Sequence, residues 1–235
     1  MDIRFESLPS DFLPKIEAAH EDINKDYPTK RTAYALEGSW EMQNSTLIPQ
    51  QKSSRAVGYH FLSPDEKQVI QFRLDGFTFN LLKPNPEESW QGWESIRRES
   101  LKAWQLFSKA VNPKEISRLG VRYINQIVIR APKVNLDEYF SAPPQIPKKF
   151  LHQILEDYFS RVAIPIKAAT AIVIHAPGPA LYPDSVTVIL DIDVFYEHKM
   201  ASDDNLLWEK LDQLRDIKNE IFDVFLKEKA KDLFK

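Results

Sequence analysis

The chain has no cysteine in its 235 residues. That absence excludes disulfides, thiolate nucleophiles and cysteine-ligated zinc together, and it fits a reducing compartment. Glycine is scarce, with 6 residues, so loops that cradle phosphate through successive glycines have almost no supply. No Walker loop, dinucleotide fingerprint, zinc-protease helix motif or Gly-x-Ser-x-Gly elbow occurs. No run approaches the ~20 apolar residues that span a bilayer. The opening Met1-Asp2-Ile3-Arg4-Phe5-Glu6 lacks the basic-then-apolar pattern of a secretory signal. A cytoplasmic protein without a membrane partner is therefore expected. No charge sign dominates either: Lys plus Arg is 31 and Asp plus Glu is 34, a net −3. That balance argues against general nucleic-acid binding, which needs clustered cations to neutralise phosphates.

What the chain does have is core material. Hydrophobic residues make up 43%, including 14 Phe, 8 Tyr and 5 Trp spread along the whole length. A chain of this size buries roughly 70–75% of its unfolded surface.

Periodicity assigns the elements. Residues 3–6 read as a short strand. Phe12, Ile16, Ala19 and Ile23 recur at helical spacing after a cap at Ser10 or Asp11, and Tyr27-Pro28 ends that helix. Strand-like runs follow at 31–40, 55–62, 67–74 and 77–82, with 43–54 read as a polar loop. Asp75-Gly76 marks a hairpin. In the last run Phe77, Phe79 and Leu81 alternate with Thr78 and Asn80. A helix over about 88–109 carries Trp93, Ile96, Leu101, Trp104 and Phe107. A long strand covers 118–130. A further helix is expected from Pro147, carrying Phe150, Ile154, Leu155, Tyr158 and Phe159 and closed by Pro165. Strands at 167–175 and 185–196 come next. A final helix from Asp203 or Asp204 to Leu233 presents Leu207, Leu211, Leu214, Ile221 and Phe225.

This order predicts an α+β fold, with one antiparallel sheet and helices packed on one face. The second half reads as a trimmed copy of the first, a strand-helix-strands-helix unit duplicated over about 1–112 and 113–235 within a single domain, 1–235. The topology is analogous to that of TATA-binding-protein-like or effector-binding folds, an analogy that carries no function by itself.

If helices cover one face, alternation places His60, Gln71, Arg73, Thr78 and Asn80 on the other. Arg118, Arg122, Ile124 and Gln126 join them from the long strand, and Ile189, Asp191, Asp193 and Phe195 from the strand 185–196. Arg73, Arg118, Arg122, Asp191 and Asp193 are thus the candidate ligand- or partner-binding residues. The competing reading is a lattice of cross-strand ion pairs, each worth ~0.2–1 kcal/mol.

No catalytic residue, metal site or cofactor is expected. Asp191-x-Asp193 puts two carboxylates on one face, but no third acid stands nearby to complete a hard-cation site. The five histidines, His20, His60, His152, His175 and His198, show no metal-ligand spacing, and a surface or supporting role is expected of each. Trp90, Trp93 and Trp104 have helical spacing, which favours core packing over a stacking platform. Lys227, Lys229, Lys231 and Lys235 complement a helix dipole.

The segment Arg118-Leu119-Gly120-Val121-Arg122-Tyr123-Ile124-Asn125 resembles the mid-chain motif of a sporadically distributed bacterial family of uncharacterised proteins. The likeness extends to Asp26-Tyr27-Pro28, to Asp75-Gly76-Phe77-Thr78-Phe79-Asn80, to the tryptophan-bearing segment at 90–93 and to Leu190-Asp191-Ile192-Asp193. The resemblance implies no defined chemistry. Its patchy distribution implies an accessory role in mobile or defence-related gene systems.

The expected function is a non-enzymatic binding module that recognises a protein partner or a small ligand through a polar sheet face. The alternative is a hydrolase or nuclease whose acidic site is assembled by tertiary folding. An exposed sheet edge would also suit a homo-oligomer.

Overall fold

A computed structural model of the chain describes residues 1–43, 46–82, 91–145 and 157–234, and the backbone alone at 37–43 and 46–52. Trp90 and the expected helical positions Phe150, Ile154 and Leu155 lie outside the described residues. The fold is α+β, with antiparallel sheet and helices packed on one side, as periodicity predicts. Contacts divide the chain into two compact units, residues 1–118 with 198–202, and residues 119–197 with 203–235.

In the first unit, β1 (Asp2–Arg4) is followed by a helical stretch that includes α1 (Leu13–Ala18), flanked by 3-10 turns at Ser10–Phe12 and Ala19–Asp22. Four strands form a meander: β2 (Thr29–Gln43), β3 (Thr46–Leu62), β4 (Gln68–Arg73) and β5 (Gly76–Leu81). Helix α2 (Trp93–Val111) and the short β6 (Glu115–Ile116) complete it, β6 pairing with β11 (Met200–Ala201). The strand order is β2-β3-β4-β5-β1, with β1 antiparallel to β5.

The segment read as a loop at 43–54 is mostly strand. β2 and β3 pair from Thr29–Leu62 out to Gln43–Thr46, while β4 joins β3 only at 58–62. The outer part is a two-stranded ribbon. Where only two strands pair among the described residues, no apolar face is required, so the period-2 signal is missing there. Tyr34 and Leu36 are exposed on it.

Helix α2 ends at Asn112, whose left-handed backbone (φ 48°, ψ 58°) stops propagation. Its buried residues Ile96, Ser100, Ala103, Trp104, Phe107 and Val111 trace one stripe. That stripe meets the phenylalanines of the sheet. Phe107 lies 4.8 Å from Phe72 and 6.0 Å from Phe5, and Trp104 meets Phe77 edge-on at 5.7 Å. His20 stacks on Phe61 at 4.6 Å, which puts the first helical stretch on the same face. Phe61, Phe72, Phe77, Trp104 and Phe107 are all fully buried, each ring contributing about 2–3 kcal/mol of transfer free energy.

The second unit holds β7 from Leu119 onward (the strand runs Arg118–Ile129), β8 (Ser160–Ile166), β9 (Ala169–Gly178), β10 (Val186–Tyr196), α3 (Asp204–Phe225) and α4 (Glu228–Lys231). Its strand order is β7-β10-β9-β8, antiparallel throughout. In each unit the first strand therefore pairs with the last strand of a meander, and a long helix follows.

Two boundaries differ from the sequence reading. Pro165 does not close a helix; it lies inside β8, which among the described residues of this unit pairs only with β9 and so tolerates a residue without an N–H. The final helix stops at Phe225 rather than Leu233. Leu226 takes up an extended conformation and bridges Phe140, while the Lys227 N–H donates to the Tyr139 carbonyl at 2.8 Å. The segment 136–141 thus replaces the next helical turn as hydrogen-bond partner.

Asp203 caps α3 by accepting from the Leu206 N–H at 2.9 Å. The helix buries Leu207, Trp208, Leu211, Leu214, Lys218 and Ile221 against Val188, Leu190, Ile192 and Val194 of β10 and their neighbours. Among the described residues, no helix is long and apolar enough to cross a membrane.

Candidate functional site

The face of the first unit turned away from α2 carries a group of polar residues on neighbouring strands. Cross-strand register sets Arg31, His60, Gln71, Thr78 and Asp2 in one row, and Ala33, Gly58, Arg73, Gly76 and Arg4 in the next. The inner positions between these rows carry Tyr59, Phe72, Phe77 and Ile3, so alternation alone turns the polar set outward.

Asp2 is the hub of this face. Its carboxylate accepts from Arg4 Nε (3.0 Å), Arg73 Nη2 (3.2 Å), Arg118 Nη1 (2.8 Å) and Thr78 Oγ1 (2.7 Å). Four donors use the capacity of one carboxylate. Burial opposes its ionisation, but the Thr78 hydrogen bond and the charges of Arg4 and Arg73 outweigh that and hold the carboxyl below its ordinary range. Asp75 takes a second bond from Arg4 (Nη1, 2.6 Å) and one from Arg73 (Nε, 3.1 Å), while Arg73 Nη1 reaches Gln71 at 2.6 Å. Asp2 thus divides its charge among three guanidiniums and Asp75 between two, so neither Arg4 nor Arg73 has a carboxylate to itself. Arg73 is only 12% exposed, while Arg4 at 36% and Asp75 at 47% form the open rim. Beside them His60 is held neutral more strongly than usual, by burial and then by the charges of Arg73 and Arg31.

Two glycines let this layer close up. Gly58 has φ 155°, and a Cβ there would lie 2.2 Å from the Phe72 carbonyl oxygen; a Cβ on Gly76 would lie 2.3 Å from that of Ile3. Both flank Arg73 in its row.

In the second unit Arg122 grips Asp191 with both arms of its guanidinium, Nε to Oδ1 at 2.9 Å and Nη2 to Oδ2 at 2.5 Å. Asp191 is buried and Arg122 is 54% exposed. The Asp191 hydrogen bond raises the Arg122 pKa, against burial, and Asp193, directly across the ladder, adds to the negative field. This face is mixed rather than polar: Asp191 stands between Ile124 and Ile174, and Asp193 between Arg122 and Ile172. Ile124 is 62% exposed.

The five sequence-derived candidates thus divide. Arg73 and Arg118 join the Asp2 cluster of the first unit, and Arg122, Asp191 and Asp193 form a charged group in the second. Sequence reasoning missed Asp2, Arg4 and Asp75. Asp2 and Arg4 had a usable signal, since they alternate with the buried Ile3 and Phe5. Asp75 sits in the hairpin turn and gave none.

Two further polar groups lie on the helix side of the second unit. Lys218 is 7% exposed, over the rings of Tyr123 (3.8 Å) and Phe222 (5.8 Å). Burial, with repulsion from Arg215, lowers its pKa to about 8. His175 is 3% exposed, between Phe140 (4.6 Å, edge-on) and Tyr158 (5.3 Å, stacked). Neither of its ring nitrogens has a hydrogen-bond partner among the described residues, and burial lowers its pKa to about 4. The surface or supporting role expected of this histidine is replaced by a core position. Among the described residues, no three His, Asp or Glu side chains gather as a metal site would require.

Comparison with known protein families, with curated proteins and with solved structures finds no match to this chain.

Proposed function

We propose that the protein is a non-enzymatic binding module that recognises a protein partner or small ligand through the polar sheet face of its first unit. The observation that carries this reading is the Asp2 cluster, in which Arg4 and Arg73 crowd onto carboxylates they must share. Arg4 commits Nε to Asp2 and Nη1 to Asp75, which leaves its Nη2 at the half-exposed rim free to donate to a ligand. The hydrolase or nuclease alternative requires acids free to polarise water or hold a cation. Asp2, Asp75 and Asp191 are instead each engaged by arginine. The accessory role implied by the family resemblance belongs to the same proposal.

The test is affinity capture from the cell of origin, with the wild-type chain beside a double variant Arg4→Gln/Arg118→Gln. A protein or small molecule retained by the wild type and lost from the variant supports the reading. Equal retention by both overturns it. Circular dichroism on the variant separates lost binding from lost fold.

A further inference from the structure

We infer that the outer edge of β8 is a self-association site, which pairs antiparallel with β8 of a second copy of the chain about a two-fold axis at Val162. The site lies in the second unit and is independent of the polar face of the first. Three features of the strand converge on it.

The first is backbone supply. Ile166 and Ala169 pair across the tight turn Lys167-Ala168, so they exchange both of their N–H and C=O bonds. Alternation then points the backbone groups of Ser160, Val162 and Ile164 to β9. Those of Arg161 and Ala163, with the Pro165 carbonyl, point the other way. On that side no strand meets them among the described residues, and Arg161, Val162, Ala163 and Pro165 are all exposed. Native edges are guarded by bulges and charges. β2, at the end of the strand order in the first unit, has two register shifts, whereas β8 runs without one and carries a single charge, Arg161.

The second is the position of Pro165, which has no N–H to give. A two-fold axis at Ala163, Ile164 or Pro165 sets this proline opposite a residue inside the strand, whose carbonyl then lacks a donor. An axis at Arg161 sets like charges face to face, which is unfavourable. An axis at Val162 avoids both. Arg161 and Ala163 then exchange bonds with Ala163 and Arg161 of the second copy. Pro165 falls opposite Phe159, just outside β8, where the Phe159 carbonyl can face water.

The third is the side-chain pairing that the same register produces. Val162, 46% exposed, meets Val162 of the copy in a close, non-hydrogen-bonded pair, and Phe159, 69% exposed, comes opposite the Pro165 ring. Arg161 comes opposite Ala163, whose small side chain leaves the guanidinium room to reach water. Extended past both ends, the register brings the exposed Asp157 beside the exposed Lys167 of the copy, and the two-fold repeats that pair of opposite charges. Backbone bonds, apolar contact and charge thus share one centre. A strand of seven residues makes a small interface, so the dimer is a weak one.

The experiment uses the full chain. Sedimentation equilibrium from about 10 µM to about 1 mM, the range suited to a small interface, is expected to show the mass rising toward that of a dimer. Ala163→Pro removes an outward N–H, as Pro165 already does, and leaves the β9 ladder intact. It is expected to weaken the dimer about tenfold or more. Because the chain has no cysteine, single cysteines report the register directly. Val162→Cys is expected to oxidise to a covalent dimer, since a non-hydrogen-bonded pair holds its Cα atoms at disulfide distance. Ile164→Cys, which comes opposite Ser160, is expected to give less than a tenth as much. A wild type that stays monomeric at the highest concentration overturns the inference. So does a folded Ala163→Pro that dimerises undiminished, and so does an Ile164→Cys that cross-links as readily as Val162→Cys. Should Ala163→Pro fail to fold, sedimentation of the wild type and the two cysteine variants still decide the matter.

Discussion

The ammonium of Lys218 lies 3.8 Å from the centroid of the Tyr123 ring, at a buried position of α3. Among the described residues no carboxylate pairs with it, and Arg215, one turn earlier on the helix, repels it. The ring face attracts the cation by about 1–2 kcal/mol when desolvated. Burial still wins, and the pKa falls to about 8.

That depression makes stability rise with pH. In the unfolded chain a lysine titrates near 10.5, and in the folded one this amine titrates near 8. Between these values the unfolded state binds more protons, so stability climbs from pH 8 toward pH 10.5 and is lowest below 8. The full swing is about 3 kcal/mol. Lys218→Met removes it and, at pH 7, is expected to be about 1–2 kcal/mol more stable than wild type, the lost ring contact taking part of the gain. Urea denaturation of both proteins at pH 7 and at pH 9.5 checks this. A wild type as stable as the variant at pH 7 would refute the account.

Lys218 also shows where the sequence was legible and where it was not. The α3 stripe Leu207, Leu211, Leu214, Ile221 and Phe225 is readable from spacing alone, and the same spacing points to position 218 as an inward residue. A lysine there is discounted on hydropathy, although its long stem suits a buried helix face. Alternation in β5 separates Phe77 and Phe79 from Thr78 and Asn80 correctly, because one face is fully buried. It says nothing about the outer β2–β3 ribbon, which no third strand joins among the described residues. The Asp2 hub was hidden for a different reason. Its partners Thr78 and Arg118 are 76 and 116 residues away, and no local period reports such a meeting.

His175 gives the opposite wing of the pH profile. Its folded pKa of about 4 lies below the ordinary 6.5. The unfolded chain therefore gains a proton first as pH falls, and stability is lost progressively from pH 6.5 down to 4. The loss is of the order of 3 kcal/mol at the lower end. His175→Leu keeps an apolar group between Phe140 and Tyr158 and flattens the profile over this window. Thermal unfolding at pH 7 and pH 4.5 is the measurement. An equally steep acid loss in the variant would show that other groups dominate.

Gly58 is a backbone requirement rather than a surface choice. Its φ is 155°, and a side chain there would start 2.2 Å from the Phe72 carbonyl oxygen, which leaves no room for a Cβ where β3 meets β4. Gly58→Ala is expected to cost about 2–4 kcal/mol. Gly92, the residue before α2, has nothing within 4 Å of the same position, and Gly92→Ala should change stability by less than about 1 kcal/mol. Guanidinium denaturation midpoints of the two variants make the comparison. Similar midpoints would contradict the steric argument.

Arg122 and Asp191 are unequal partners, and the inequality can be measured. Asp191 is buried with its charge, while Arg122 is 54% exposed. Removing the arginine leaves an uncompensated buried carboxylate, so Arg122→Ala is expected to cost about 2–3 kcal/mol. Removing the carboxylate is milder, because the guanidinium can turn to water. Asp191→Val places a β-branched side chain between Ile124 and Ile174, its cross-strand neighbours, where it packs well. The double variant Arg122→Ala/Asp191→Val therefore regains much of what Arg122→Ala loses. Chemical denaturation of the two single variants and the double closes the cycle. A double variant less stable than Arg122→Ala would mean that Asp191 stabilises the sheet by itself, and that Arg122 is not there to neutralise it.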